Sequence, residues 1–133
     1  MTRYLATYGA TLVAFLAIDF IWLGFVATKF YKDHLGHMML DKPLLGVAFL
    51  FYLLYVVGIV VFAVLPGLRE ENWRTAAMLG ALLGLVAYGT YDLTNLATLK
   101  GWPMTVTIVD MAWGVVLTAA SATAGYFAGS YFD

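Results

Sequence analysis

Four long runs of apolar residues, separated by short polar connections, dominate the pattern along the chain. Each run is about 20 residues or longer, which is the length that a helix needs to cross the roughly 30 Å hydrocarbon core of a bilayer. The runs lie at about residues 4–27, 44–65, 75–99 and 103–128. The pattern therefore predicts an all-α fold, a four-helix transmembrane bundle with up-down-up-down order and short loops, in a single transmembrane domain over residues 1–133.

Prolines mark the ends of two of these predicted helices. Pro43 precedes the second run, and the pair Pro66 and Gly67 follows its last apolar residues. Because proline is tolerated in the first turn of a helix and disrupts its interior, we expect the second helix to end at this pair. Pro103 opens the fourth run, and only residues 100–102 separate it from the third. The third and fourth helices should therefore form a tight antiparallel hairpin.

The composition assigns the chain to the integral membrane proteins. Hydrophobic residues make up 63% of the 133 residues and charged residues 11%, which is more apolar than an average soluble domain. The net charge of -1, without any run of like charges, gives no electrostatic basis for binding nucleic acid. The absence of cysteine excludes disulfides, thiolate metal sites and a cysteine nucleophile.

Basic residues are evenly divided between the two predicted membrane faces. Three arginines and the amino terminus lie on one face, and four lysines lie on the other. The positive-inside rule therefore does not decide the orientation, and the balance would also suit an antiparallel dual-topology dimer. We expect both termini to be cytoplasmic.

Three aspartates interrupt the apolar runs. Asp19, Asp92 and Asp110 lie in the first, third and fourth predicted spans. A carboxylate at the centre of a membrane helix costs about 2.5 to 3.5 kcal/mol, whereas each Leu, Ile, Phe or Val contributes only about 0.3 to 0.6 kcal/mol in return. Retention of three such residues indicates a hydrogen-bonded helix core, an ion or proton site, or catalysis.

Helix direction places the three aspartates at a similar depth. Asp19 and Asp92 lie about eight and seven residues before their spans end, and Asp110 lies about seven residues after its span begins. At about 1.5 Å per residue, all three fall roughly 10 to 12 Å from the face that carries the first and third loops. We therefore predict one shared polar layer near that face.

Aromatic and amide side chains accompany the aspartates in this layer. On the third span, Tyr88, Asp92 and Asn95 follow the i, i+4, i+7 spacing of a single helix face. On the fourth span, Asp110 and Trp113 share a helix face in the same way. On the first span, Trp22 lies one turn after Asp19, where its indole N–H could serve a carboxylate on a neighbouring helix. The predicted ligand- or ion-binding residues are Asp19, Asp92, Asp110, Asn95, Tyr88, Tyr91, Trp22 and Trp113.

The same segments carry a family resemblance. The strings AIDFIWLGFVATKFY, FYLLYVVGIVVF, YDLTNLATLKGWP and VTIVDMAWG resemble the bacterial membrane family of unknown function numbered 2177. The resemblance extends over essentially the whole chain. It implies a small four-span integral protein of the bacterial cytoplasmic (inner) membrane, and it supplies no biochemical activity to transfer to individual residues.

Close carboxylates at this depth would repel one another if all were ionised. At neutral pH we therefore expect one or more to be protonated unless a cation binds. Their oxygens suit either Na or a divalent cation such as Mg, Ca or Mn. No other cofactor is predicted. His34 and His37 in the first loop would add metal ligands if that loop folds back, although a pair of interfacial histidines is the simpler interpretation.

The lipid bilayer is the predicted partner of this chain. Two small-xxx-small patterns, Gly80 with Gly84 and Ser121 with Gly125 and Gly129, favour close helix packing. They are most simply contacts within the chain, and they would also suit homo-oligomer contact.

Three functions fit the aspartate layer. It could be structural, holding the helices of a scaffolding protein together, or it could bind a proton, a cation or a small solute during transport. The alternative is a lipid-modifying membrane enzyme, or an accessory subunit of one, that uses an aspartate as base or metal ligand. Because the sequence offers no nucleophile paired with a base, the enzyme hypothesis is the least favoured.

Overall fold

A computed structural model describes residues 2–132 and contains, within that part of the chain, helices and no strand. Four continuous helices are long and apolar enough to cross a membrane. We refer to them as the first to fourth spans: Thr2–Met38, Leu45–Glu70, Trp73–Thr98 and Met104–Tyr131. The predicted all-α fold with four membrane-spanning helices is thereby confirmed.

The first span is longer than the sequence predicted. Helix α1 (Thr2–Trp22) continues through a π-helical turn (Leu23–Ala27) into α2 (Thr28–Leu35), which ends in a 3₁₀ turn (Gly36–Met38). The predicted end near residue 27 is where the apolar run stops, because charged residues follow there. They end the hydrophobic pattern without ending the helix, since lysine is a good helix former.

The second span contains the proline that was expected to end it. Helix α3 (Leu45–Ile59) passes through a π-helical turn (Val60–Val64) into α4 (Leu65–Glu70), whose first turn includes Pro66. A π-helical turn pairs each N–H with the carbonyl five residues earlier, and it loosens the hydrogen-bond ladder just before the proline. The helix therefore continues past Pro66 to Glu70, and the next residue, Glu71, has a left-handed φ of 53°.

The third and fourth spans form the predicted tight hairpin. Helix α5 (Trp73–Thr98) and helix α6 (Met104–Tyr131) are joined by five residues, among which Gly101 has a φ of 75°. The helices approach so closely that a Cβ atom added to Gly84 would overlap the backbone carbonyl of Gly114. Gly80 faces α6 in the same way, so this glycine pair is used for packing within the chain.

The small-residue stripe of α6 faces the first span. A Cβ atom on Gly125 would overlap the hydroxyl of Thr11, and one on Gly129 would lie 2.6 Å from the hydroxyl of Thr7. Ser121, on the same stripe, is fully buried. Both small-residue faces that were considered for homo-oligomer contact are therefore occupied by helices of the same chain.

The closest packing lies on the side of the aspartates remote from α2. Leu117 follows Asp110 by about two helical turns, or roughly 10 Å, and is fully buried. The hydroxyl groups of Tyr55 and Thr118 form a hydrogen bond of 2.8 Å in this region. The apolar side chains buried completely there include Phe15, Val56, Ile59 and Leu117. The bundle thus has one tightly packed half and one half that contains the aspartates.

Candidate functional site

Asp19 joins three spans through its two carboxylate oxygens. The hydroxyl of Tyr52, on α3, donates to Oδ2 at 2.9 Å, and the indole N–H of Trp113, on α6, donates to Oδ1 at 3.3 Å. The residue is only 7% exposed. Both oxygens of Asp19 therefore accept a hydrogen bond from a neutral donor, and these bonds tie the first span to the second and the fourth.

Asp110 accepts a hydrogen bond from the far end of the first span. The hydroxyl of Tyr31, on α2, donates to Oδ1 of Asp110 at 2.6 Å. Tyr31 follows Asp19 by about twelve residues, or roughly 18 Å along a straight helix. The contact therefore holds the part of the first span beyond the π-helical turn against the fourth span.

Asp92 is fully buried and interacts with the carboxyl group of Asp110. Within residues 2–132, no donor group forms a hydrogen bond with either of its side-chain oxygens. Its carboxyl lies within hydrogen-bonding range of the carboxyl of Asp110, which in turn interacts electrostatically with Asp19. The structure thus brings all three aspartates together.

Aromatic rings surround this cluster. Trp22 and Trp113 are stacked with ring centroids 4.4 Å apart and planes 10° from parallel. The buried indole N–H of Trp22 lies near the hydroxyl of Tyr31 but has no acceptor in hydrogen-bonding geometry within residues 2–132. The ring of Tyr88 covers Gly114 so closely that a Cβ atom there would overlap it. Indole and phenol faces therefore form much of the site's surface.

A cavity of about 330 Å³, here named the inner cavity, lies between the spans at this level. Two carboxylates and six aromatic side chains line it: Asp19, Asp110, Trp22, Tyr31, Tyr52, Tyr88, Tyr91 and Trp113. Leu35 and Met39, at the end of the first span and just beyond it, form part of its wall. The residues after the π-helical turn therefore cover the site from the side of the first loop.

A second cavity, here named the lateral cavity, has a volume of about 450 Å³ and lies between the second and third spans. It shares Tyr88, Tyr91 and Asp110 with the inner cavity. Its remaining wall is formed by Phe51 of α3 and by Ala87 and Thr90 of α5. Asp110 therefore borders both the inner and the lateral cavity.

The remaining predicted residues lie outside the cavities. Asp92 and Asn95, both on α5, line neither of them, Asp92 being fully buried and Asn95 half-buried. A ring nitrogen of His34 is 2.8 Å from the carbonyl of Phe30, and His37 is exposed in the 3₁₀ turn. Over residues 2–132, no group of three or more acidic, histidine or cysteine side chains is arranged to hold a metal ion. The expectation of a bound Na or divalent cation stays a prediction.

Two hydrogen-bond donors of the site, Tyr52 and Tyr31, were not predicted from the sequence. Tyr52 lies about eight residues into the second span, roughly 12 Å deep, so the depth argument applied to the aspartates would have found it. Tyr31 lies beyond the predicted end of the first span. Its signal is the amphipathic pattern of α2, with Lys29 and Lys32 exposed and Tyr31 partly buried.

Comparison with known families matches residues 4–127 to a family described as "Predicted membrane protein (DUF2177)". The chain belongs to this family. The match includes the inner and lateral cavities with all their lining residues. Neither the curated proteins nor the solved structures contain a match to this DUF2177 chain.

Proposed function

We propose that this DUF2177 protein binds a small organic cation in its inner cavity, as the binding step of solute transport across a bacterial cytoplasmic membrane. The observation that carries the proposal is the presence of two carboxylates, Asp19 and Asp110, in one cavity walled by six aromatic rings. This combination of negative charge and aromatic faces is the known chemistry for recognising organic ammonium groups.

The chemistry of the cavity wall favours an organic cation over a metal ion. Ring faces attract a cation through their quadrupole, with about 2 kcal/mol or more available when the group is desolvated. Hard metal ions instead require several oxygen ligands at short range, such as the six to eight that calcium takes. The stacked Trp22 and Trp113 supply indole faces beside Asp19 and so suit a cation with an apolar body.

The packing of the bundle supports access from one face at a time. Beyond the aspartates the helices are close-packed around Phe15, Ile59 and Leu117, all fully buried. The inner cavity lies on the other side of this core, beneath α2. A carrier would bind its solute in this arrangement and release it in another, since transport requires alternating access to a central site.

Binding can be measured with N-methylpyridinium, a small aromatic cation that quenches tryptophan fluorescence, on the full chain in lipid nanodiscs. We expect saturable quenching, and no saturation with the anion benzenesulfonate. Asp110→Asn should weaken binding roughly 10- to 100-fold, which corresponds to about 1.4 to 2.8 kcal/mol. Asp41→Asn, at an exposed loop residue, is the matched control and should bind normally.

Two results would contradict the proposal. One is the absence of saturable cation binding to the natural chain, and the other is equal binding by Asp110→Asn and Asp41→Asn. In either case the aspartates would be assigned to helix association alone. Flux of N-methylpyridinium into proteoliposomes then tests the transport step separately, because a binding protein without a transport role would bind the cation and give no flux.

A lipid-modifying enzyme is the second candidate. The lateral cavity brings Asp110 within reach of the space between the second and third spans, and Tyr31 holds a hydroxyl 2.6 Å from that carboxylate. The pair could act as acid and base on a lipid head group. Mass spectrometry of nanodisc phospholipids after incubation distinguishes the two functions, since a carrier leaves the lipids unchanged.

A further inference from the structure

The lateral cavity adjoins the proposed cation site and lies toward the lipid. Tyr88, Tyr91 and Asp110 belong to both cavities, so the two are separated only by shared side chains. At the outer side, Phe51 and Thr90 are exposed on the surfaces of the second and third spans. In a membrane-spanning bundle these exposed surfaces face acyl chains.

We propose that the lateral cavity is the entrance through which the ligand reaches the aspartates from within the lipid leaflet. The ligand class is then an amphiphilic organic cation, with its charged group at Asp110 and its apolar body between Phe51 and Thr90. The inference rests on the proposed function, and it adds where the ligand comes from and what its uncharged part must be.

The position of the carboxylate supports this assignment. Asp110 lies about seven residues, or roughly 10 Å, from the start of the fourth span. Amphipathic helices bury their apolar face about 5 to 10 Å into the boundary between head groups and acyl chains, and an amphiphilic cation divides its charged and apolar parts across the same boundary. A carboxylate at the inner end of a cavity with apolar and aromatic walls is therefore at the level where such molecules accumulate.

The approach from the side of the first loop passes α2. Leu35 and Met39 form the wall of the inner cavity on the side of the first loop, and Tyr31 holds α2 in place through its hydrogen bond to Asp110. The lateral cavity, with its volume of about 450 Å³, lies between spans and needs no displacement of α2. A ligand that enters from the lipid-facing side therefore reaches Asp110 without displacing the segment that Tyr31 holds in place.

Charge complementarity distinguishes a free cation from a phospholipid head group. Zwitterionic lipids carry a phosphate beside their ammonium group, and a buried phosphate requires basic side chains or helix N-termini. Among the described residues that line either cavity, none is basic. The site therefore favours a cation that lacks an adjacent anionic group.

The entrance can be tested by narrowing it. Thr90→Phe adds a ring at the mouth of the lateral cavity, and Val86→Phe adds the same ring one turn away on the exposed surface of α5, outside both cavities. Stopped-flow quenching would follow N-hexylpyridinium, which partitions into lipid. We expect Thr90→Phe to slow its association tenfold or more, and Val86→Phe to match the natural chain. Thermal unfolding of both variants, compared with that of the natural chain, checks that the added ring leaves the bundle folded.

The absence of cysteine provides a second test that does not depend on added bulk. Thr90→Cys and Val86→Cys would each carry a single thiol for labelling with a lipid-soluble maleimide. N-hexylpyridinium should protect residue 90 from labelling and leave residue 86 unprotected. Equal association rates for the two phenylalanine variants, or equal protection of the two thiols, would overturn the entrance while leaving the cation site intact. If neither N-methylpyridinium nor N-hexylpyridinium quenches the fluorescence of the natural chain, both the proposed function and the entrance are excluded.

Discussion

The hydroxyl of Tyr31 donates a hydrogen bond of 2.6 Å to Oδ1 of Asp110, which joins the last turns of the first span to the fourth span. Asp110 is also the carboxylate that both cavities share. One hydrogen bond therefore connects the segment covering the site with the residue proposed to bind the ligand. A movement of α2 away from the fourth span would break this contact.

Tyr31→Phe is expected to loosen α2 without unfolding the bundle. Hydrogen bonds to charged groups contribute about 1.5 to 3 kcal/mol, so amide hydrogen exchange in residues 28–38 should become roughly 10- to 100-fold faster. The measurement is exchange followed by mass spectrometry in nanodiscs. Tyr131→Phe, at a residue that is 83% exposed, should leave exchange unchanged. Unaltered exchange in Tyr31→Phe would show that other contacts hold α2 in place.

The two donors to Asp19 are expected to stabilise the association of three spans. Tyr52→Phe and Trp113→Phe each keep an aromatic ring and remove one hydrogen bond to the carboxylate. A buried acceptor left without its donor costs about 1 to 3 kcal/mol. Each variant should lose that much unfolding free energy in detergent micelles, measured by denaturant titration. Tyr4→Phe, at an exposed position, is the control, and a loss no larger than its own would contradict the expected role.

The hydropathy pattern was sufficient to predict the four spans. Helix direction was sufficient to predict that Asp19, Asp92 and Asp110 lie at a similar depth. These properties follow from composition and from the fixed rise of a helix, so they need no knowledge of tertiary contacts. The ends of the first two spans could not be predicted in the same way. Both involve π-helical turns, at residues 23–27 and 60–64, which have no reliable signal in a single sequence.

The composition of the site was predicted less completely than its depth. The indole of Trp22 was expected to serve a carboxylate on a neighbouring helix, but within residues 2–132 it has no acceptor, and Trp113 is the tryptophan that donates to Asp19. Asn95 shares a helix face with Asp92 but lines neither cavity, because spacing alone fixes a face and not what the neighbouring helix places against it. The role of Tyr31 could not be predicted without knowing that the first helix continues beyond its apolar run. That continuation depends on how α2 packs.

Gly114 is expected to set the position of the Tyr88 ring. A Cβ atom at residue 114 would overlap that ring, so Gly114→Ala must displace it toward the cavities or separate α5 from α6. Overpacking of this kind costs about 1 to 3 kcal/mol. We expect lower stability and weaker quenching by N-methylpyridinium. Gly9→Ala is the matched control, since its Cβ would meet no atom within 4 Å, and replacing glycine by alanine in a helix should stabilise by about 0.5 to 1 kcal/mol.

Cation binding is expected to weaken as the pH is lowered. Protons and an organic cation compete for the same carboxylates, because protonation removes the charge that attracts the cation. Calorimetry in two buffers with different ionisation enthalpies should therefore show net proton release on binding. Asp92→Asn replaces the carboxyl that lies within hydrogen-bonding range of Asp110 and should reduce this release while keeping the cation bound. An affinity independent of pH would exclude competition at the aspartates.

The orientation of the termini determines whether the cavities lie near the outer or the cytoplasmic face of the membrane. If both termini are cytoplasmic, the connections at residues 39–44 and 99–103 lie on the outer face, together with α2 and the nearby aspartates. Asp41→Cys and Glu71→Cys place single thiols at exposed positions on opposite faces of a chain that has no other cysteine. A membrane-impermeant maleimide added to intact cells should label residue 41 and should label residue 71 only after lysis. The reverse pattern would place the cation site near the cytoplasm, and labelling of both thiols in intact cells would indicate dual topology.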